Sequence, residues 1–174
     1  MTLLSSKQAR MWIAVILAVA QTAVITIIGR PLTTTAAPQG IISFEFARTL
    51  ANAQAIIASW DTHTQIVAGL SLGIDFLYPI VYATAIALCC LAAAPHWPGS
   101  LSRLGKLLSG GMILAAIFDY IENISLIQLL LGSNEASWAT IAWGCAAVKF
   151  TFVLLGIVYG LMGGLFALWH KLGK

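Results

Sequence analysis

Apolar residues fall in four long blocks, at 11–29, 65–94, 107–131 and 137–169, with short polar, proline- or glycine-bearing segments between them. Each reaches or nears the roughly 20 residues a helix needs to cross a bilayer, so the pattern predicts four spanning helices with those bounds. A fifth, shorter pattern lies between the first two. Phe46, Leu50, Ala53, Ile57 and Trp60 recur at spacings of four and three, which predicts an amphipathic helix over 46–60. That stretch is too short to span. It either rests on lipid headgroups with Trp60 as an interface anchor, or forms a lid that brings Glu45 and Arg48 toward groups inside the bundle. Residues 31–43, with Pro31, Pro38 and Gly40, read as a loop. The expected fold is all-α, a single polytopic membrane domain built as an up-down bundle of four transmembrane helices with one outer interfacial amphipathic helix. The first block follows Lys7 and Arg10 as a signal sequence would, but its 19 residues exceed the roughly 7–15 of a signal core, so it reads as a retained span.

Composition strengthens the membrane reading. The chain is 60% hydrophobic and 9% charged, against roughly 25% charged in soluble domains. A net charge of +3, with basic residues at helix ends, gives no nucleic-acid footprint. Lys7, Arg10, Arg103, Lys106, Lys171 and Lys174 fall on one side of the four spans. Arg30 and Arg48 fall on the other, offset by Glu45, Asp61 and Glu135. The positive-inside rule then places both termini and the 95–106 loop in the cytoplasm. Cys89 and Cys90 lie near the opposite end of the bundle from Cys145, on the order of 20 Å away, too far to bridge.

Against this hydrocarbon background a few polar side chains stand out. Asp119, Glu122 and Asn123 lie three and four apart in the third block, so a helix sets them on one face. Asp75 and Pro79 interrupt the second block, and Lys149 the fourth. Pro79 has no N–H to offer the carbonyl of Asp75, four residues back. At 1.5 Å rise per residue, Asp75, Asp119, Glu122 and Lys149 all fall roughly 14–18 Å below the outer surface. Three acids and one lysine in low dielectric demand that protons or a cation make up the difference, to which Arg48 could contribute. Tyr78, Tyr82 and Tyr120 are near enough in sequence to complete the hydrogen bonding. No cofactor is predicted. A hard cation held by Asp75, Asp119 and Glu122 fits the donor types, whereas His63, His96 and His170 all sit at helix ends, against zinc, copper or haem. Gly156, Gly160 and Gly164 strip one face of the last span, permitting close helix approach within the bundle or to another copy or partner.

The motifs Asp75-Phe76-x-x-Pro79-x-x-Tyr82 and Phe118-Asp119-x-x-Glu122-Asn123, with Phe44-x-Phe46 before them and Lys149 after, resemble an uncharacterised family of bacterial four-span integral membrane proteins. The resemblance implies one recurring polar design in a bacterial cytoplasmic (inner) membrane, and no activity. From the residues, the leading expectation is a site for a cation, proton or small polar or lipid ligand, in the service of transport. An intramembrane enzyme acting on a lipid, with Glu122 or Asp119 as general base, and an accessory subunit docking through the glycine face are the alternatives.

Overall fold

The computed structural model describes residues 6–172, with side chains through Trp169. Lys174 lies outside the described residues, as does the side chain of Lys171. Helices α1 (Ser6–Ile28), α2 (Ile41–Glu45), α3 (Leu50–Ala58), α4 (Thr62–Asp75), α5 (Tyr78–Ala93), α6 (Ser100–Leu130) and α7 (Ala136–Leu172) follow one another, with no strand among the described residues. Four segments are long and apolar enough to cross a membrane: Ser6–Ile28, Tyr78–His96, Ser100–Leu130 and Ala136–Trp169. By length and composition this is a multi-pass membrane protein.

The helix ends follow local chemistry. Asp61 caps α4 through Oδ1, which accepts from the Thr64 N–H at 2.7 Å. Thr49 caps α3 in the same way, accepting from the Asn52 N–H at 3.2 Å. Gly132, at φ 91°, stops α6 and lets the Ser133 N–H turn back to the Gln128 carbonyl at 3.0 Å. The Thr64 side chain and backbone N–H hold the Asp61 carboxyl below its ordinary value of 3.8. A carboxyl lowered on folding adds stability above its unfolded value, and that stability is lost as pH falls through the lowered one. Asp61→Ala should therefore melt below the wild type at neutral pH. The two melting curves should converge on acidification; a gap that widens in acid would contradict the cap.

Two expectations from the sequence change here. The block at 65–94 is not one helix. It breaks at Phe76 and Leu77 into α4 and α5, because Pro79 cannot donate back across the join, and of this block only the segment Tyr78–His96, α5 with the turn after it, is of spanning length. The amphipathic stretch 46–60 is also shorter than expected. Its chain leaves helical conformation after Glu45, turns at Arg48 with φ 64°, and re-enters at Leu50. Trp60 is no interface anchor. It is 2% exposed, its Nε1 donates to the Leu32 carbonyl at 2.9 Å, and its ring meets Phe44 edge-on at 5.4 Å.

Packing divides the chain into two compact units. The first takes the described residues up to Val19, with Ile80–Ala116 and those from Lys149 on. Cys90, Ala93, Leu108 and Tyr159 form its core, with Ile86 and Trp97 against them. Gly156 faces Ile86 and Met112, Gly160 faces Cys89, and Gly163 faces Ala93 and Trp97. Gly164, expected to continue the bare face, opens on empty space. A helix of 3.6 residues per turn returns to the same face at the seventh residue more closely than at the eighth, so Gly163 takes its place. All three cysteines are free thiols, and the Cys90 Sγ donates to the Gly156 carbonyl at 3.4 Å.

The second unit takes Ala20–Pro79 and Ile117–Val148. Its core joins Leu32, Phe44, Ala53 and Trp60 to Leu72, Leu126, Leu129 and Ala142. The segment 30–60 is therefore packed on helices α4, α6 and α7 as part of one apolar core. Gln65 ties it further, donating to the carbonyls of Ile57 at 3.2 Å and Trp60 at 3.0 Å.

Candidate buried carboxylate site

The polar centre of the second unit is built where α4 stops. With no Pro79 N–H to continue the ladder, the chain closes with a tighter bond from the Leu77 N–H to the Ile74 carbonyl, 3.1 Å. That carbonyl also accepts from Gln21 Nε2 of α1 at 3.4 Å. One residue on, Thr22 Oγ1 and the Tyr78 hydroxyl share a hydrogen bond of 2.7 Å. Gln21 and Thr22, neighbours on the first span, thus both meet the break. The available signal was a glutamine in mid-block.

Asp75 is half-buried at the end of α4. Asp119 and Asn123 stand one turn apart on α6, with exposures of 1% and 0%. Asn123 Nδ2 donates to Asp75 Oδ2 at 2.7 Å and reaches Asp119 Oδ1 at 3.5 Å. The amide thus lies between carboxylates from two helices. Its Oδ1 is buried and accepts no hydrogen bond. Glu122 is fully buried on the same helix. The Tyr120 ring stacks on Phe76 at 5.9 Å and 25°, alongside Asp75 in sequence.

Of the residues singled out from the sequence, this unit unites Asp75, Asp119 and Asn123 and keeps Tyr78 and Tyr120 at the break. Arg48 does not dip toward the acids. It is exposed, with its guanidinium 4.9 Å over the Trp143 ring. Glu45 is buried beside the Phe44 core position. Lys149 and Tyr82 belong to the first unit, and both are buried; the Lys149 amine stands 4.8 Å from the Phe150 ring centroid. Among the described residues no group of three His, Cys, Asp or Glu side chains is arranged to hold a metal ion.

One amide can orient two carboxylates but cannot neutralise them. Carboxyl groups from two helices therefore share one buried amide, a polar centre in otherwise apolar surroundings. The C-terminal end of α4 adds the negative pole of a helix dipole at the same spot. No protein-family model, no curated protein and no solved structure matches this chain.

Proposed function

We propose that the chain is a multi-pass protein of a bacterial cytoplasmic membrane, an up-down bundle with both termini inside, whose Asp75–Asn123–Asp119 centre binds and releases a proton or a hard cation during transport. The observation that carries this reading is the Asn123 amide, fully buried and 2.7 Å from one carboxylate and 3.5 Å from another. The broken helix beside it supports the same reading. Half-helix ends inside a membrane present carbonyls and a negative pole to cations, and are tolerated where they line a polar site rather than lipid.

Infrared difference spectroscopy on protein in sealed vesicles tests it. A carboxylic-acid C=O band should persist at neutral pH, shift in D2O, and disappear in Asp119→Asn. If a cation replaces the proton, the band should instead respond to sodium or potassium. Vesicles with wild-type protein should dissipate an imposed pH or cation gradient faster than those with Asp119→Asn. A carboxyl band that is absent at all pH values, with no response to either ion, would end the proposal.

A further inference from the structure

Arg48 stands in a backbone position that favours glycine. Its φ is 64°, and the Thr49 N–H closes a tight turn across it to the Ala47 carbonyl at 2.7 Å. A side chain at positive φ crowds its own carbonyl, so arginine is costly there. Asn52 Nδ2, donating to the same Ala47 carbonyl at 3.0 Å, holds the turn in place. The turn sets the guanidinium over Trp143, where it makes no ion pair or hydrogen bond with any described residue. Five N–H donors and a full positive charge are thus presented outward from a half-buried tryptophan. The backbone just before Arg48 enters a groove of about 360 Å³, lined chiefly by Ala36, Phe46, Ala47, Ala55 and Ile56, with Ser43 and Asn52 as polar members. Phe46 and Ala47 lead directly into Arg48.

We propose that this is a binding site for an anionic phospholipid, with the phosphate on Arg48 and a stretch of acyl chain in the groove. The planar guanidinium fork matches a phosphate in two-point geometry, and stacking on Trp143 preorganises it. Tryptophan and arginine are the residues that settle at headgroup depth in a membrane protein. An anionic lipid suits an unpaired cation better than a zwitterionic one, whose own ammonium offsets the phosphate. The groove distinguishes a lipid from a free anion, because only a lipid brings a chain to fill it. The site is separate from the Asp75–Asn123–Asp119 centre and does not rest on its function.

The full-length protein in mild detergent, titrated with phosphatidylglycerol or phosphatidylcholine and read by native mass spectrometry, tests the proposal. Phosphatidylglycerol adducts should exceed phosphatidylcholine adducts about tenfold, a preference equivalent to about 1.4 kcal/mol. Arg48→Gln should abolish the preference, and Arg48→Lys should keep part of it, since charge remains but the stacked fork is lost. Arg48→Gly is the decisive variant: it should melt at or above the wild-type temperature because the turn relaxes, yet lose the preference. Ala55→Trp, which fills the groove with Arg48 intact, should weaken phosphatidylglycerol binding severalfold. Equal binding of the two lipids by the wild type, or a preference that survives in Arg48→Gly, overturns the proposal. So does inorganic phosphate displacing phosphatidylglycerol as well as the lipid itself does, since the groove would then take no part.

Discussion

Asn123→Ala is expected to lower unfolding stability by about 3 kcal/mol, measured by reversible denaturation in mixed micelles. The bond to Asp75 at 2.7 Å is short and charge-assisted, worth about 1.5–3 kcal/mol. The 3.5 Å approach to Asp119 adds little by itself, being at the limit of hydrogen-bond distance. The larger part comes from taking one member out of a buried charged set, which costs about 3–5 kcal/mol. Ordinary hydrogen bonds between membrane helices average about 0.6 kcal/mol. A measured loss of that size would mean that Asn123 bridges nothing important. The double variant Asp75→Asn with Asn123→Ala should lose less than the sum of the two single changes, because both remove the same direct contact.

Gly163→Leu should cost about 3 kcal/mol or more, whereas Gly164→Leu should fall within about 0.5 kcal/mol of the wild type. A Cβ at Gly163 would lie 2.5 Å from Ala93 Cβ, 2.8 Å from Trp97 Nε1 and 3.3 Å from Ala93 Cα. Ala93 has no rotamer to change, so α5 and α7 must separate. Trp97 is confined as well, stacked on Phe166 at 5.5 Å and 4°. At Gly164 nothing lies within 4 Å. Thermal stability of the purified variants gives the comparison, and similar losses at the two neighbours would sink this account of the glycine face.

The hydropathy blocks located most of the spanning helices because twenty consecutive apolar residues have few other uses. They misplaced ends where a helix outruns the apolar run: α6 begins at Ser100, ahead of the block, since Arg103 and Lys106 are good helix formers outside hydrocarbon. The break at 76–77 was harder to see. Phe76 and Leu77 are apolar, so the block ran on through them, and only Pro79 marked the discontinuity. Asp119 and Asn123 could be paired from their spacing on one helix. That Asp75 would reach the same amide depended on where α4 ended, which hydropathy does not encode. The turn at Arg48, which rules out the lid alternative, was not legible because positive φ is foreshadowed by glycine or asparagine, not by arginine. Gly164 was misassigned by counting in fours along a helix that turns every 3.6 residues.

Helix α7 runs for 37 residues, which at 1.5 Å each makes about 55 Å of rod. The fatty interior of a bilayer is about 30 Å deep, and about 40–45 Å with its polar margins. Even leaning at about 40°, the steep end of the usual range, such a rod still covers about 42 Å of vertical height. Its length therefore exceeds the hydrocarbon depth at every usual inclination. Thinner or thicker bilayers should change how far its ends protrude while leaving its length in hydrocarbon sufficient, so lipids of differing chain length should be tolerated without the mismatch penalty that a helix of minimal length would suffer.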